Sequence, residues 1–122
     1  MFEPIGDAAG KVLAFKLTGE IGKEETEKLS RILAEAIRRE GPIRLFLILE
    51  HYPSMNSAES LYEDLRFAKL HSDHIERMAV IGDRSWKTTW VSLFGLFGGI
   101  DSRYFDTSEI KAAWEWVNEK EK

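Results

Sequence analysis

The run Ile43-Arg44-Leu45-Phe46-Leu47-Ile48-Leu49 constrains the architecture more than any other stretch of the chain. A strand with one wet face alternates apolar and polar residues, whereas a run this continuous is typical of a central strand covered on both faces. Its neighbours keep the rhythm of an α/β layer fold. Residues 11–17 alternate and end at Thr18-Gly19, which predicts a strand with one face on a core, and residues 2–5 predict an edge strand before it. Met78-Ala79-Val80-Ile81, closed by Gly82-Asp83, is a short buried strand, and Arg103-Tyr104-Phe105 is the last.

Helical spacing fills the gaps. The first helix opens at Gly22 with the acidic turn Glu24-Glu25 and puts Leu29, Ile32, Leu33, Ala36 and Ile37 on one face. Arg38 and Arg39 complement its C-terminus, and Gly41-Pro42 stops it. Asn56 with Glu59 resembles a capping box, after which Ala58, Leu61, Tyr62, Leu65 and Ala68 trace a second helix. Asp106 with Glu109 starts a final helix with Ile110, Ala113, Trp114 and Val117 as its core face and Trp116 on the opposite side. Right-handed crossovers make the later strands parallel, leaving only the first two antiparallel. The expectation is a mixed sheet of four to five strands, mostly parallel, packed by about four helices in one domain over residues 1–122.

Between the third and fourth main strands lies an unusual segment. From Trp86 to Ile100 it carries no charge after Lys87. On a helical wheel Trp86, Trp90, Leu93 and Phe97 form an ordinary stripe, but Val91 and Phe94 widen it on one side and Leu96 on the other. The apolar arc is about 220°, against roughly 100° for a helix with one buried face. By the same wheel the first helix has an arc of about 140°. Three explanations fit the excess: an oversized core contact, a homodimer interface, or a hinged flap over an apolar ligand. Gly95 inside the segment and Gly98-Gly99 at its exit loosen it, and glycine in a helix interior costs roughly 1 kcal/mol relative to alanine.

Composition narrows the function further. With 43% hydrophobic and 31% charged residues the chain is of ordinary globular type. It has no cysteine, which excludes disulfides and thiolate chemistry. A net charge of −4 opposes nucleic-acid binding. The start Met1-Phe2-Glu3-Pro4 lacks the pattern of a secretion signal, so a cytoplasmic location is expected. The uncharged window 88–100 is shorter than the ~20 residues that span a bilayer; it can lie at a membrane surface but not cross it.

No catalytic constellation emerges. His71 and His74 stand three apart beside Asp73, a spacing able to hold an ion on a helix, but they sit at a helix end, where histidine is also a favourable C-terminal cation. No metal and no cofactor are expected. The loop 50–57 leaves the carboxyl end of the central strand, where open α/β sheets commonly place ligands. His51, Tyr52 and Asp83 are therefore expected at the rim of a pocket, although Asp83 also suits a helix cap.

His71, Ile75, the run Arg77-Met78-Ala79-Val80-Ile81-Gly82-Asp83, Trp86, Arg103-Tyr104-Phe105-Asp106 and Ala113-Trp114 follow in an order that resembles the SpoIIAA-like family. The family belongs to the STAS superfamily, with affinities to the SEC14 lipid-binding class. The resemblance implies a mixed sheet packed by helices, in a family that includes bacterial proteins for which binding of nonpolar ligands or membrane association has been suggested. It also implies that the segment 86–97 is the apolar, mobile element. Anti-sigma-factor antagonists of the superfamily carry a phosphorylated serine in Asp-Ser-Ser-Gly before the second helix. Here the stretch reads Ser54-Met55-Asn56-Ser57-Ala58, so Ser57 is the corresponding phosphoacceptor position, without the aspartate and glycine.

The reading is a non-enzymatic protein that binds an apolar small molecule or membrane lipid, or lies peripherally on a membrane, through Trp86, Trp90, Val91, Leu93, Phe94 and Phe97. The alternative is a protein-interaction or regulatory module in which that segment mediates homodimerisation or partner docking.

Overall fold

The structure, a computed structural model, describes residues 2–5, 11–18, 23–50, 70–82 and 100–119. Its centre is a five-stranded sheet in the order β1-β2-β3-β4-β5. The strands are β1 (Phe2–Pro4), β2 (Val12–Thr18), β3 (Ile43–Glu50), β4 (Ile75–Gly82) and β5 (Asp101–Asp106). β1 runs antiparallel to β2, and every later pairing is parallel. Two α-helices are found among the described residues, α1 (Lys23–Glu40) and α2 (Ile110–Val117), rather than the four or so expected. The expected helices over 58–68 and 86–97 lie outside the described residues.

Alternation along the strands sorts the side chains into two layers. The first face carries Leu13, Phe15 and Leu17 from β2, Leu45, Leu47 and Leu49 from β3, and Met78 and Val80 from β4, packed with Leu29, Leu33 and Ala36 of α1. The second carries Phe46, Ala79 and Ile81, packed with Ala113, Trp116 and Val117 of α2. β3 is thus covered on both sides, as its uninterrupted apolar run requires. α1 keeps its predicted face with one exception: Ile32 is 37% exposed, at the margin of the stripe. Gly41 closes this helix with φ at +79°, the left-handed conformation glycine adopts without steric cost, and its N–H donates to Ile37 O at 2.8 Å.

β4 starts three residues earlier than predicted. Ile75 pairs with Ile43, but the next pair is Arg44 with Arg77, so Glu76 is an extra residue where the register shifts. Such a bulge re-aims side chains. Here it lets Glu76 reach Arg44 and Lys11, which is why a charged dipeptide occupies a strand position.

Candidate functional site

The second face holds the features most relevant to binding. Asp106 caps the entry to α2, its carboxylate accepting from the Ser108 N–H at 3.2 Å, while the Asp106 N–H donates to Glu109 Oε1 at 3.0 Å. This capping box stands where Asp106 and Glu109 were expected to start the helix, although the chain makes a 3-10 turn over Thr107–Glu109 before α2 begins. The rotational phase of α2 corrects the wheel. Trp116 is 7% exposed and Trp114 is 46% exposed, the reverse of the prediction, and Ile110 also stands largely outside at 43%. The cause is the sheet beneath. The guanidinium carbons of Arg77 and Arg103 stand 5.1 and 4.8 Å from the Trp116 ring centroid, and Phe105 packs beside it. A hydropathy wheel assigns no value to an indole held by two cations.

The other end of α2 is held by arginines. Arg44, 4% exposed, donates to Val117 O at 3.0 Å, to Glu119 O, and to Glu76 Oε1 at 3.0 Å. Arg77 donates to Trp116 O at 2.7 Å and pairs with Glu119. The last carbonyls of a helix have no acceptor role within it, and here guanidinium groups satisfy them. Sequence reading passed over Arg44 as one polar letter in an apolar run. A charge inside a doubly covered strand was itself the signal, because buried charges are almost always paired.

Lys11, 2.8 Å from Glu76, holds the Glu76 carboxyl below its usual range; burial opposes this and Arg44 reinforces it. The folded state therefore binds fewer protons than the unfolded chain between the two pKa values. Stability from this group is present above the unfolded value and is lost as pH falls through the folded one. Glu76→Gln is expected to flatten the acid side of the stability profile, read as urea midpoints from neutral pH downward. His71 is also lowered, chiefly by burial, against a backbone hydrogen bond with Ser30 and with help from His74. Its Nε2 lies 2.9 Å from the Ser30 hydroxyl of α1, so it acts as a strut between elements.

Because α2 turns Trp114 and Ile110 away from its line of contact, an apolar groove of about 360 Å³ opens beside it. Ile5, Ala14, Phe46 and Ile48 form its floor, and Ile110, Lys111 and Trp114 its helical wall. Register places Ala14 opposite Phe46 and Lys16 opposite Ile48, so the floor crosses adjacent strands. Trp114 meets the Phe46 ring edge-on, with centroids 5.1 Å apart. The volume falls in the lower part of the range of small-molecule sites. Sequence reading missed this groove. The available signal was tryptophan on two sides of one short helix, more apolar surface than one sheet contact hides.

The residues singled out from sequence, Trp86, Trp90, Val91, Leu93, Phe94 and Phe97, the rim residues His51, Tyr52 and Asp83, and Ser57, all lie outside the described residues. The geometric reason for the rim does change. Ligand crevices in open α/β sheets form where strand order reverses, and the order here runs from β1 to β5 without reversal. Among the described residues no group of three or more His, Cys, Asp or Glu is placed to hold a metal ion. Nor is any helix among them long and apolar enough to cross a membrane.

The sequence profile of the SpoIIAA-like family matches residues 12–118, from the start of β2 to just beyond α2. The chain belongs to the SpoIIAA-like family. A crystal structure of an uncharacterized protein of the DUF3478 family from Shewanella loihica PV-4, described as having a SpoIIAA-like fold, superposes with a TM-score of 0.64. The two are 20% identical, and the match covers 96% of this chain and 92% of the other. At that identity the likeness concerns the fold. No curated protein matches the sequence. In this SpoIIAA-like chain the matched region includes every residue of the groove except Ile5.

Proposed function

We infer that this protein is a non-enzymatic binding protein whose ligand is an apolar small molecule. One observation carries the reading: the groove between α2 and the sheet, almost wholly apolar and bordered by an indole 46% exposed to water. An exposed tryptophan beside a ready-made apolar concavity gains by having a ligand cover it. Among the described residues, the two groups with shifted protonation, His71 and Glu76, are engaged in contacts between elements. The segment 86–97, with its 220° apolar arc by the helical wheel (about that width), is proposed as a second apolar contact, to the ligand or to a membrane surface.

A second reading, docking of a protein partner, is favoured by the exposure of Ile5, Ile110 and Trp114 around one patch. Fluorine NMR of fluorotryptophan-labelled protein separates the possibilities, since the four tryptophans report on both regions. Addition of decanol is expected to shift the Trp114 resonance, assigned through Trp114→Phe. Shifts at Trp86 and Trp90 would extend the site to the segment 86–97. No shift at any tryptophan would overturn the reading.

A further inference from the structure

We propose that the groove takes a free single-chain amphiphile with a carboxylate head, and that Lys111 holds the head. This rests on the binding function inferred above and specifies its ligand class. The floor runs from Ile5, just past the edge strand, to β3; at roughly 4.8 Å between neighbouring strands it extends about 10 Å. Such a trough suits a chain laid across the strands better than a compact ring system.

Charge gives the ligand its direction. Among the described residues that line the groove, Lys111 alone is charged. Among the described residues no carboxylate lies within ion-pair distance of it. Glu109, on the preceding turn, is committed to the Asp106 N–H. Glu115 follows one turn later, in the less favourable order for a helical pair. On the strand side Lys16 is already engaged, 3.7 Å from Glu3 and 3.5 Å from Glu50. Its ammonium is thus already supplied with acidic partners and is the poorer anchor for an anion. A carboxylate head is therefore directed to Lys111, with the alkyl chain passing Trp114 and Phe46 toward Ile5.

The test compares decanoate with decanol, both below their aggregation limits at neutral pH, by the fluorine shift of labelled Trp114. Decanoate is expected to bind about tenfold more tightly, the scale of a charge-assisted hydrogen bond at a partly exposed rim. Lys111→Met should remove that preference and Lys111→Arg should retain it; both changes are at an exposed position and leave the core untouched. Equal affinities in the unaltered protein, or a preference that survives Lys111→Met, would overturn the head-group assignment while leaving the apolar-ligand function standing. Silence of Trp114 toward both probes would overturn the function itself. A response to phosphatidylglycerol vesicles but not to decanoate would replace the free amphiphile with a membrane surface. A Trp114 shift that depends on protein concentration alone would replace it with a second copy of the chain.

Discussion

Arg44→Ala is expected to lower unfolding stability by about 3 kcal/mol, the lower end of the cost of breaking a buried charge cluster by removing one partner. Glu76 keeps Lys11 at 2.8 Å, which limits the penalty on the acidic side. The carbonyls of Val117 and Glu119 have no such substitute among the described residues and lose the donor that holds them. The damage should therefore concentrate in α2, whose amides should exchange with solvent faster than those of α1. Arg44→Lys should recover only part of the loss, because an ammonium cannot reproduce the forked donor geometry that reaches three acceptors. Urea titration gives the magnitude and hydrogen exchange the location. An equal loss of protection in α1 and α2 would count against a clamp at the end of α2.

The second large effect contrasts two tryptophans two residues apart. Trp116→Ala should cost about 3–5 kcal/mol, as removal of a large buried aromatic does, because it also strips the ring from between Arg77 and Arg103. Trp114→Ala removes chiefly an edge-on contact with Phe46, a pair worth about 1 kcal/mol. The groove should widen with little loss of stability. Chemical denaturation of both variants checks the ranking. Equal costs, or a larger cost at position 114, would mean that α2 presents the face its hydropathy suggests.

Strands and the long helix were legible because their signals are local. β2 alternates and β3 runs unbroken, and both were placed within a residue or two of their observed limits. Parallel pairing followed from the spacing of the elements. β4 was cut short because Glu76 and Arg77 look like loop residues until their partners, far away in sequence, are known. The phase of α2 was misjudged for a related reason: Trp116 is buried by cations on β4 and β5 that its own wheel does not contain. The groove escaped notice because its walls come from Ile5 just past β1, from β2 and β3, and from α2 together. No single window of sequence holds it. The segment 86–97 reads as an excess of apolar surface, lies outside the described residues, and does not name its partner in its own composition.

Among the described residues, the cover of the second face comes from the helix that follows all five strands of the sheet. α2 contributes no strand to the sheet, so it can lift away without breaking a ladder. When it does, Phe46, Ala79 and Ile81 lose the α2 side chains they pack against, and Arg44 loses the carbonyl acceptors of Val117 and Glu119. The opened molecule keeps the layer beneath α1 packed and bares an adhesive one, the kind of surface a chaperone recognises. Variants that loosen α2 should therefore aggregate before they unfold fully.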